Sequence, residues 1–91
     1  MLVIHKYAIP LNANFSLLLP EGTEILHLDS QYGKPVMWVL SRPTNPDKIR
    51  KFLVRGTGHT IDRGYDELEF LGTIKLEEET FILHLFEEKE A

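Results

Sequence analysis

Apolar and polar residues alternate with a period of two along most of the chain. In the first segment Val3, Tyr7 and Ile9 fall on one side of an extended strand, and Pro10 ends the strand because it cannot donate a ladder hydrogen bond. This period, or a short apolar run between turns, recurs in segments that span residues 2–9, 15–19, 23–30, 35–41, 49–54, 68–76 and 81–86. No segment of helical length keeps a spacing of about 3.6 residues, so the pattern predicts an all-β protein.

Strict alternation also assigns side chains to faces of the strands. In residues 23–30 it places Ile25, His27 and Asp29 on one face. In residues 68–76 it predicts one face that comprises Leu68, Phe70, Gly72, Ile74 and Leu76. The segment 35–41 is apolar on both faces, which predicts a central, covered strand, and its Trp38 is interpreted as a core residue.

Short strands separated by turns predict a small antiparallel sandwich or partly open barrel of about six to seven strands. We expect one β-rich domain over residues 1–91, in which residues 87–91 form a solvated tail. Because so small a sheet leaves strand edges, we also expect a homodimer or a higher homo-oligomer.

Composition and charge exclude several classes of protein. The net charge is −4 and no basic run is present, so binding of duplex nucleic acid is not expected. The absence of cysteine excludes disulfides, thiol catalysis and cysteine-ligated metal sites. Neither a signal-peptide pattern nor an apolar run of membrane-spanning length is found, which predicts a cytoplasmic protein that does not enter a membrane.

Polar chemistry is densest in residues 55–63, which we call the glycine loop. Gly56 and Gly58 flank Thr57 and permit positive φ and a close approach of a ligand to the backbone. Cations and hydrogen-bonding side chains that suit a phosphate or carboxylate surround them, namely Arg55, Thr57, His59, Thr60 and Arg63. No Gly-Lys-Ser/Thr follows, so a tight turn with locally satisfied side chains remains the alternative interpretation.

Three histidines, His5, His27 and His84, each occupy a strand with apolar neighbours. If their strands adjoin, they could converge on zinc, with Asp29 as a further ligand or as an orienting partner. Their spacing lacks the short intervals of most histidine metal sites, and hydrogen-bonded or surface histidines are the simpler interpretation. We therefore predict no metal and no cofactor.

His59 is the one candidate for acid or base catalysis. Asp62 could orient it, and Arg55 and Arg63 could hold a substrate. No nucleophile is identified, so a binding module needs fewer assumptions than an enzyme.

Several blocks of the sequence form a recognisable set. They are Leu19-Pro20-Glu21-Gly22, Gly33-Lys34-Pro35 followed by Trp38, Gly56-Thr57-Gly58-His59, Leu71-Gly72-Thr73 and His84-Leu85-Phe86-Glu87. The set resembles a family of short uncharacterised proteins of tailed phages and prophages, in which the third block often continues with proline where this chain has Thr60. The resemblance implies a phage accessory protein in the host cytoplasm, and such proteins are often counter-defence factors.

Three hypotheses follow. The first is a non-enzymatic protein that sequesters a phosphorylated nucleotide immune signal, with Trp38, Tyr32 or Tyr65 stacking on a base. Its predicted ligand-binding residues are Arg55, Gly56, Thr57, Gly58, His59, Thr60, Arg63 and Trp38. The second is an inhibitor that binds a host defence protein through the acidic residues 77–79 or by strand addition. The third is a small hydrolase or lyase that uses His59.

Overall fold

The computed structural model describes residues 1–78 and 80–90. In these residues seven strands and one short 3-10 helix are present. The strands are β1 (Val3–Ala8), β2 (Asn14–Pro20), β3 (Glu24–Gln31), β4 (Lys34–Ser41), β5 (Asp47–Gly56), β6 (Leu68–Leu76) and β7 (Phe81–Glu88), and the 3-10 helix is Tyr65–Glu67. The predicted all-β class is confirmed.

The strands form two sheets. One has three strands in the order β1-β4-β3, and the other has four in the order β2-β5-β7-β6. Every paired neighbour is antiparallel, and within the described residues the sheets do not close into a barrel. The predicted central position of residues 35–41 is confirmed, since β4 has a partner on each side.

The main core lies between the two sheets. Its most buried side chains belong to both sheets and include Leu19, Met37, Val39, Phe52 and Leu85. The rings of Phe15 and Phe52 stack across β2 and β5 with their centroids 5.0 Å apart. Apolar burial of this kind supplies most of the stability of a domain this small.

A β-bulge in β3 alters the faces predicted for that strand. The register with β4 shifts between Ile25 and His27, so two residues that strict alternation places together point to opposite faces. Ile25 packs against the core, whereas His27 pairs with Trp38 on the outer face. The prediction that Ile25, His27 and Asp29 share a face is therefore wrong, because a single extra residue reverses the alternation.

A second bulge in β6 has the same effect. The register with β7 shifts between Phe70 and Gly72. Leu68 belongs to a cluster on the outer face of the four-stranded sheet, whereas Ile74 and Leu76 belong to the core. The predicted common face for these residues is wrong, and the bulge instead brings Phe70 and Thr73 to the outer face.

Gly72 makes close packing possible at this bulge. A Cβ atom at position 72 would lie 2.8 Å from Cδ1 of Leu28 in the other sheet. The two sheets therefore approach closely where β6 faces β3, and only glycine fits the present positions of these atoms.

The connection from β5 to β6, residues 57–67, is the crossover loop. Because β5 and β6 both run antiparallel to the strand between them, β7, they are parallel to each other. The chain must therefore return along the sheet before β6 begins. Leu53, Leu68 and Phe86 form a buried cluster on the outer face, and we infer that the crossover loop covers it.

An ion pair closes one end of the core. Arg50 donates to both carboxylate oxygens of Glu87, at 2.5 Å from Nε and 2.8 Å from Nη2, and Nη1 donates to the carbonyl of Thr23. The hydrogen bond to Glu87 raises the pKa of the guanidinium above its ordinary value, against the opposing effect of burial. Glu87 is 8% exposed. The expected solvated tail at residues 87–91 thus begins later, because β7 extends to Glu88; Ala91 lies outside the described residues.

Candidate functional site

Arg55 anchors the beginning of the glycine loop. It lies near the end of β5, and its side chain is 12% exposed. Its guanidinium donates to four neutral acceptors, which are the carbonyls of Ala13, Val54 and Thr60 and Oδ1 of Asn14. Within the described residues, Asp62 is the only carboxylate that reaches 4.0 Å, and its side chain is 85% exposed. The positive charge of Arg55 is therefore held at low exposure with little neutralisation.

The other two arginines near this sheet are neutralised by glutamates. Arg63 donates to Oε1 of Glu88 in β7, and Arg50 is bound by Glu87. Arg63 lies six residues after Thr57 in the crossover loop and is engaged by Glu88 at the end of β7. The sequence hypothesis placed Arg55 and Arg63 around one ligand, but only Arg55 lies beside the two glycines.

His59 folds back over Gly56. The ring Nδ1 of His59 accepts the backbone N–H of Gly56 at 3.1 Å, and the backbone N–H of His59 donates to the carbonyl of Gly56 at 3.1 Å. A Cβ atom at position 56 would lie 3.0 Å from Cε1 of His59, so the ring would have to shift by a few tenths of an ångström to admit a side chain there. Gly58 follows at φ +89°, a backbone conformation that favours glycine. The proposed pairing of His59 with Asp62 is replaced by this local bond, as the turn interpretation anticipates.

His84 joins the glycine loop to β6. Its Nε2 lies 2.8 Å from Oγ1 of Thr57, and its Nδ1 lies 2.9 Å from Oγ1 of Thr73. Sequence analysis considered His84 as a metal ligand or, more simply, as a hydrogen-bonded or surface histidine, and it named neither His84 nor Thr73 as a ligand-binding residue. The signal that could have found the pair is the register of β6 with β7, which the bulge before Thr73 conceals.

These groups form one row across the outer face of the four-stranded sheet. Arg55 in β5 pairs with His84 in β7, which pairs with Thr73 in β6. Lys75 follows two residues after Thr73, so it projects from the same face and is exposed. The row thus carries two fixed cations, with the exposed carboxylate of Asp62 nearby. We call Arg55, Thr57, Thr73, Lys75 and His84 the cationic row.

Trp38 lies in the other sheet. Its neighbours Met37 and Val39 are buried in the core, so the indole occupies the opposite, outer face of the three-stranded sheet. There the ring stacks on His27 with centroids 6.0 Å apart. The interpretation of Trp38 as a core residue is wrong, because it is half-buried on the outer face, and Trp38 does not stand over the glycine loop.

The histidines do not converge. His5 is in β1, His27 is in β3 with Nε2 3.5 Å from Asp29, and His84 is in the other sheet. Among the described residues, no group of three or more histidines or carboxylates could hold a metal ion. The zinc arrangement considered from the sequence is therefore not formed by these side chains.

Two clefts of the surface lie away from residues 55–60. One of about 510 Å³ is lined by Arg63, Asp66 and Glu67 with residues 88–90, and another of about 310 Å³ lies beside the Arg50–Glu87 pair. Residues 55–60 do not line either of them. Three residues of the cationic row, Thr57, Thr73 and Lys75, are exposed, so a ligand held there by one chain would keep one side in water.

The fold and the row define a small two-sheet β domain with a hydroxyl- and cation-bearing outer face. The whole chain, residues 1–91, matches the model of a domain of unknown function, DUF7352, and the protein belongs to that family. Neither a curated protein nor a solved structure shows significant similarity to the chain. The described residues contain no helix long and apolar enough to cross a membrane.

Proposed function

We propose that the protein is a non-enzymatic binding protein for a small phosphorylated ligand, held at the cationic row. The observation that carries the proposal is the charge of Arg55. Its guanidinium is nearly buried and bonded to neutral oxygens, and the one carboxylate that reaches it among residues 1–78 and 80–90, that of Asp62, is 4.0 Å away and solvated. A cation in that state attracts an anion to the adjacent surface more strongly than a cation already paired with glutamate.

The rest of the row supplies the contacts that a phosphate accepts. Thr57 and Thr73 are exposed, and both hydroxyls contact the ring of His84. A neutral imidazole has one N–H and one acceptor nitrogen, so one of the two hydroxyls accepts the ring N–H and keeps its own proton for a phosphate. Lys75 is a second cation on the same face. Gly58 at positive φ keeps the loop backbone open to a ligand beside these side chains. Arg55 acts on the anion mainly through its charge, because its donors are already engaged by the loop and by Ala13.

The ligand we propose is a nucleotide immune signal, which the protein sequesters as a counter-defence factor of a phage or prophage in the host cytoplasm. The resemblance described above supports that context. The exposure of the row supports a homo-oligomeric form, in which a second chain would cover the exposed side of the ligand. The proposed site keeps Arg55, Gly56, Thr57, Gly58, His59 and Thr60 and omits Trp38 and Arg63.

Native mass spectrometry with a panel of cyclic dinucleotides and ADP-ribose derivatives tests the proposal. We expect a stoichiometric, intact ligand adduct, and an affinity that falls at least tenfold in Arg55→Gln. Arg63→Gln is the matched control, because it removes an arginine of the same loop whose charge Glu88 already neutralises. Thermal unfolding checks that each variant is folded, and Lys75→Gln is a second variant that leaves the Arg55 bonds intact. A folded Arg55→Gln that binds as tightly as the unchanged protein refutes the site, and a degraded ligand indicates an enzyme instead.

A second candidate function is inhibition of a host defence protein. The observation that favours it is an exposed apolar pair, Leu18 and Ile49, which are cross-strand partners and each 61% exposed. They lie beside the free edge of β2, where a strand of a partner could add. Ile49→Lys should abolish co-purification of such a partner. The acidic tip proposed from the sequence includes Glu79, which lies outside the described residues.

A further inference from the structure

An exposed aromatic ring lies one row from the proposed anion site. Phe70 is 49% exposed, although it belongs to a strand that packs against β7. Its ring contacts that of Phe86, with centroids 5.3 Å apart and planes inclined by 54°. Phe86 is 9% exposed and belongs to the outer-face cluster with Leu53 and Leu68. Phe70 is therefore braced on one side by a buried ring and open to solvent on the other.

The bulge in β6 brings this ring and the cationic row onto one face. Phe70 pairs with Phe86, and after the register shift Thr73 pairs with His84. Phe86 and His84 are two residues apart in β7 and project from the same side of the sheet. In a regular strand Phe70 and Thr73 would face opposite sides, because they are three positions apart and side chains alternate from one residue to the next.

The spacing of the two features fits one ligand. Positions two residues apart along a strand are separated by about 7 Å, so an anion at His84 and Thr73 would lie about that far from the Phe70–Phe86 row. A ribose that joins a base to its phosphate spans a gap of this order. An aromatic ring can stack on any base, because every base has a π face.

We propose that Phe70 is the stacking residue for the base of a nucleotide whose phosphate occupies the cationic row. This inference rests on the proposed function and adds the ligand class and the residue that recognises it. Three other aromatic residues were candidates for this role. Trp38 and Tyr32 belong to the other sheet and its β3–β4 turn, and Tyr65 lies in the 3-10 helix before β6.

The test compares ADP with inorganic pyrophosphate, which carries the diphosphate without a base. Each compound is titrated calorimetrically into the unchanged protein and into three variants, Phe70→Leu, Phe70→Tyr and Tyr65→Leu. The comparison separates the contribution of the base to the binding free energy from that of the diphosphate. Phe70→Leu keeps an apolar contact with Phe86 but removes the π face, whereas Phe70→Tyr retains it. Tyr65→Leu is the control, because Tyr65 is an aromatic residue with 79% exposure outside the site. Thermal unfolding verifies the fold of each variant.

We expect Phe70→Leu to weaken ADP about tenfold and to leave pyrophosphate unchanged. Phe70→Tyr should restore ADP affinity, and Tyr65→Leu should have no effect. Equal ADP affinity in Phe70→Leu and the unchanged protein, with pyrophosphate bound, overturns the stacking role alone. If the unchanged protein binds neither compound, both this inference and the proposed function are overturned.

Discussion

The Arg50–Glu87 pair offers a quantitative test of how the end of the core is held. The two side chains are 19% and 11% exposed, so either one left alone would be a largely desolvated charge. Removing one partner of such a pair costs about 3 kcal/mol, whereas replacing both by apolar residues is close to neutral. Arg50→Met should therefore be strongly destabilising, and Arg50→Met with Glu87→Leu should recover most of the loss.

Urea unfolding followed by tryptophan fluorescence measures these effects. For a domain of this size the free energy of unfolding changes by about 1 kcal/mol per molar urea, so the midpoint of Arg50→Met should fall by about 2–3 M. The double variant should lie within about 1 M of the unchanged protein. The coupling energy of the pair is the difference between the loss in the double variant and the summed losses in Arg50→Met and Glu87→Leu.

The exposed pair formed by Lys48 and Glu90 provides the control. Nζ of Lys48 lies 2.8 Å from Oε2 of Glu90, and the two side chains are 45% and 66% exposed. Because so exposed a pair contributes little to stability, Lys48→Met should leave the urea midpoint nearly unchanged. If the losses in Arg50→Met and Glu87→Leu simply add in the double variant, the two side chains are independent. The reasoning from their bidentate contact would then be refuted.

Two further substitutions test the crossover loop and the turn. Leu53→Ala removes a side chain that is 1% exposed, and it should cost about 3 kcal/mol and speed amide exchange in residues 57–67, whereas exposed Leu18→Ala should do neither. Gly56→Ala places a Cβ atom 3.0 Å from the His59 ring, so it should break the bond between the Gly56 amide and Nδ1 at a cost of about 1 kcal/mol. Unshifted His59 ring resonances in NMR spectra of Gly56→Ala would contradict the second expectation.

Much of the fold could be predicted from the sequence because burial in a two-sided sheet imposes a period of two. Residues 35–41 lack that period, and their apolar character on both faces correctly indicated a strand with two partners. The wrong assignments of faces in β3 and β6 arose at the two β-bulges. A bulge adds one residue to one strand. The segments before and after it each alternate regularly, but the side chains after the bulge point to the opposite face from the one that continued alternation predicts. Nothing in the residues around Leu26 or Leu71 signals that extra residue unambiguously.

The candidate site was only partly predictable for a related reason. Residues 55–60 are contiguous, so their proximity required no knowledge of the fold. Thr73 and His84 meet Thr57 only through strand pairing, which depends on the register of β6 with β7. The ion-pair partners of the arginines were equally hidden. Which of Arg50, Arg55 and Arg63 has a glutamate partner follows from tertiary contacts with Glu87 and Glu88.

The position of β7 has a consequence for how the protein acquires its structure. Strands β5 and β6 have no direct pairing and are joined only through β7, which follows both of them in the chain. The four-stranded sheet therefore cannot be completed until β7 has been synthesised and pairs with both β5 and β6. Such late, non-local pairing slows folding and leaves two unpaired edges in the partly synthesised chain. Only at that step does Arg50 meet Glu87 and does His84 take its place opposite Arg55 in the sheet. The ligand-binding surface and the stable fold should therefore appear together during biosynthesis.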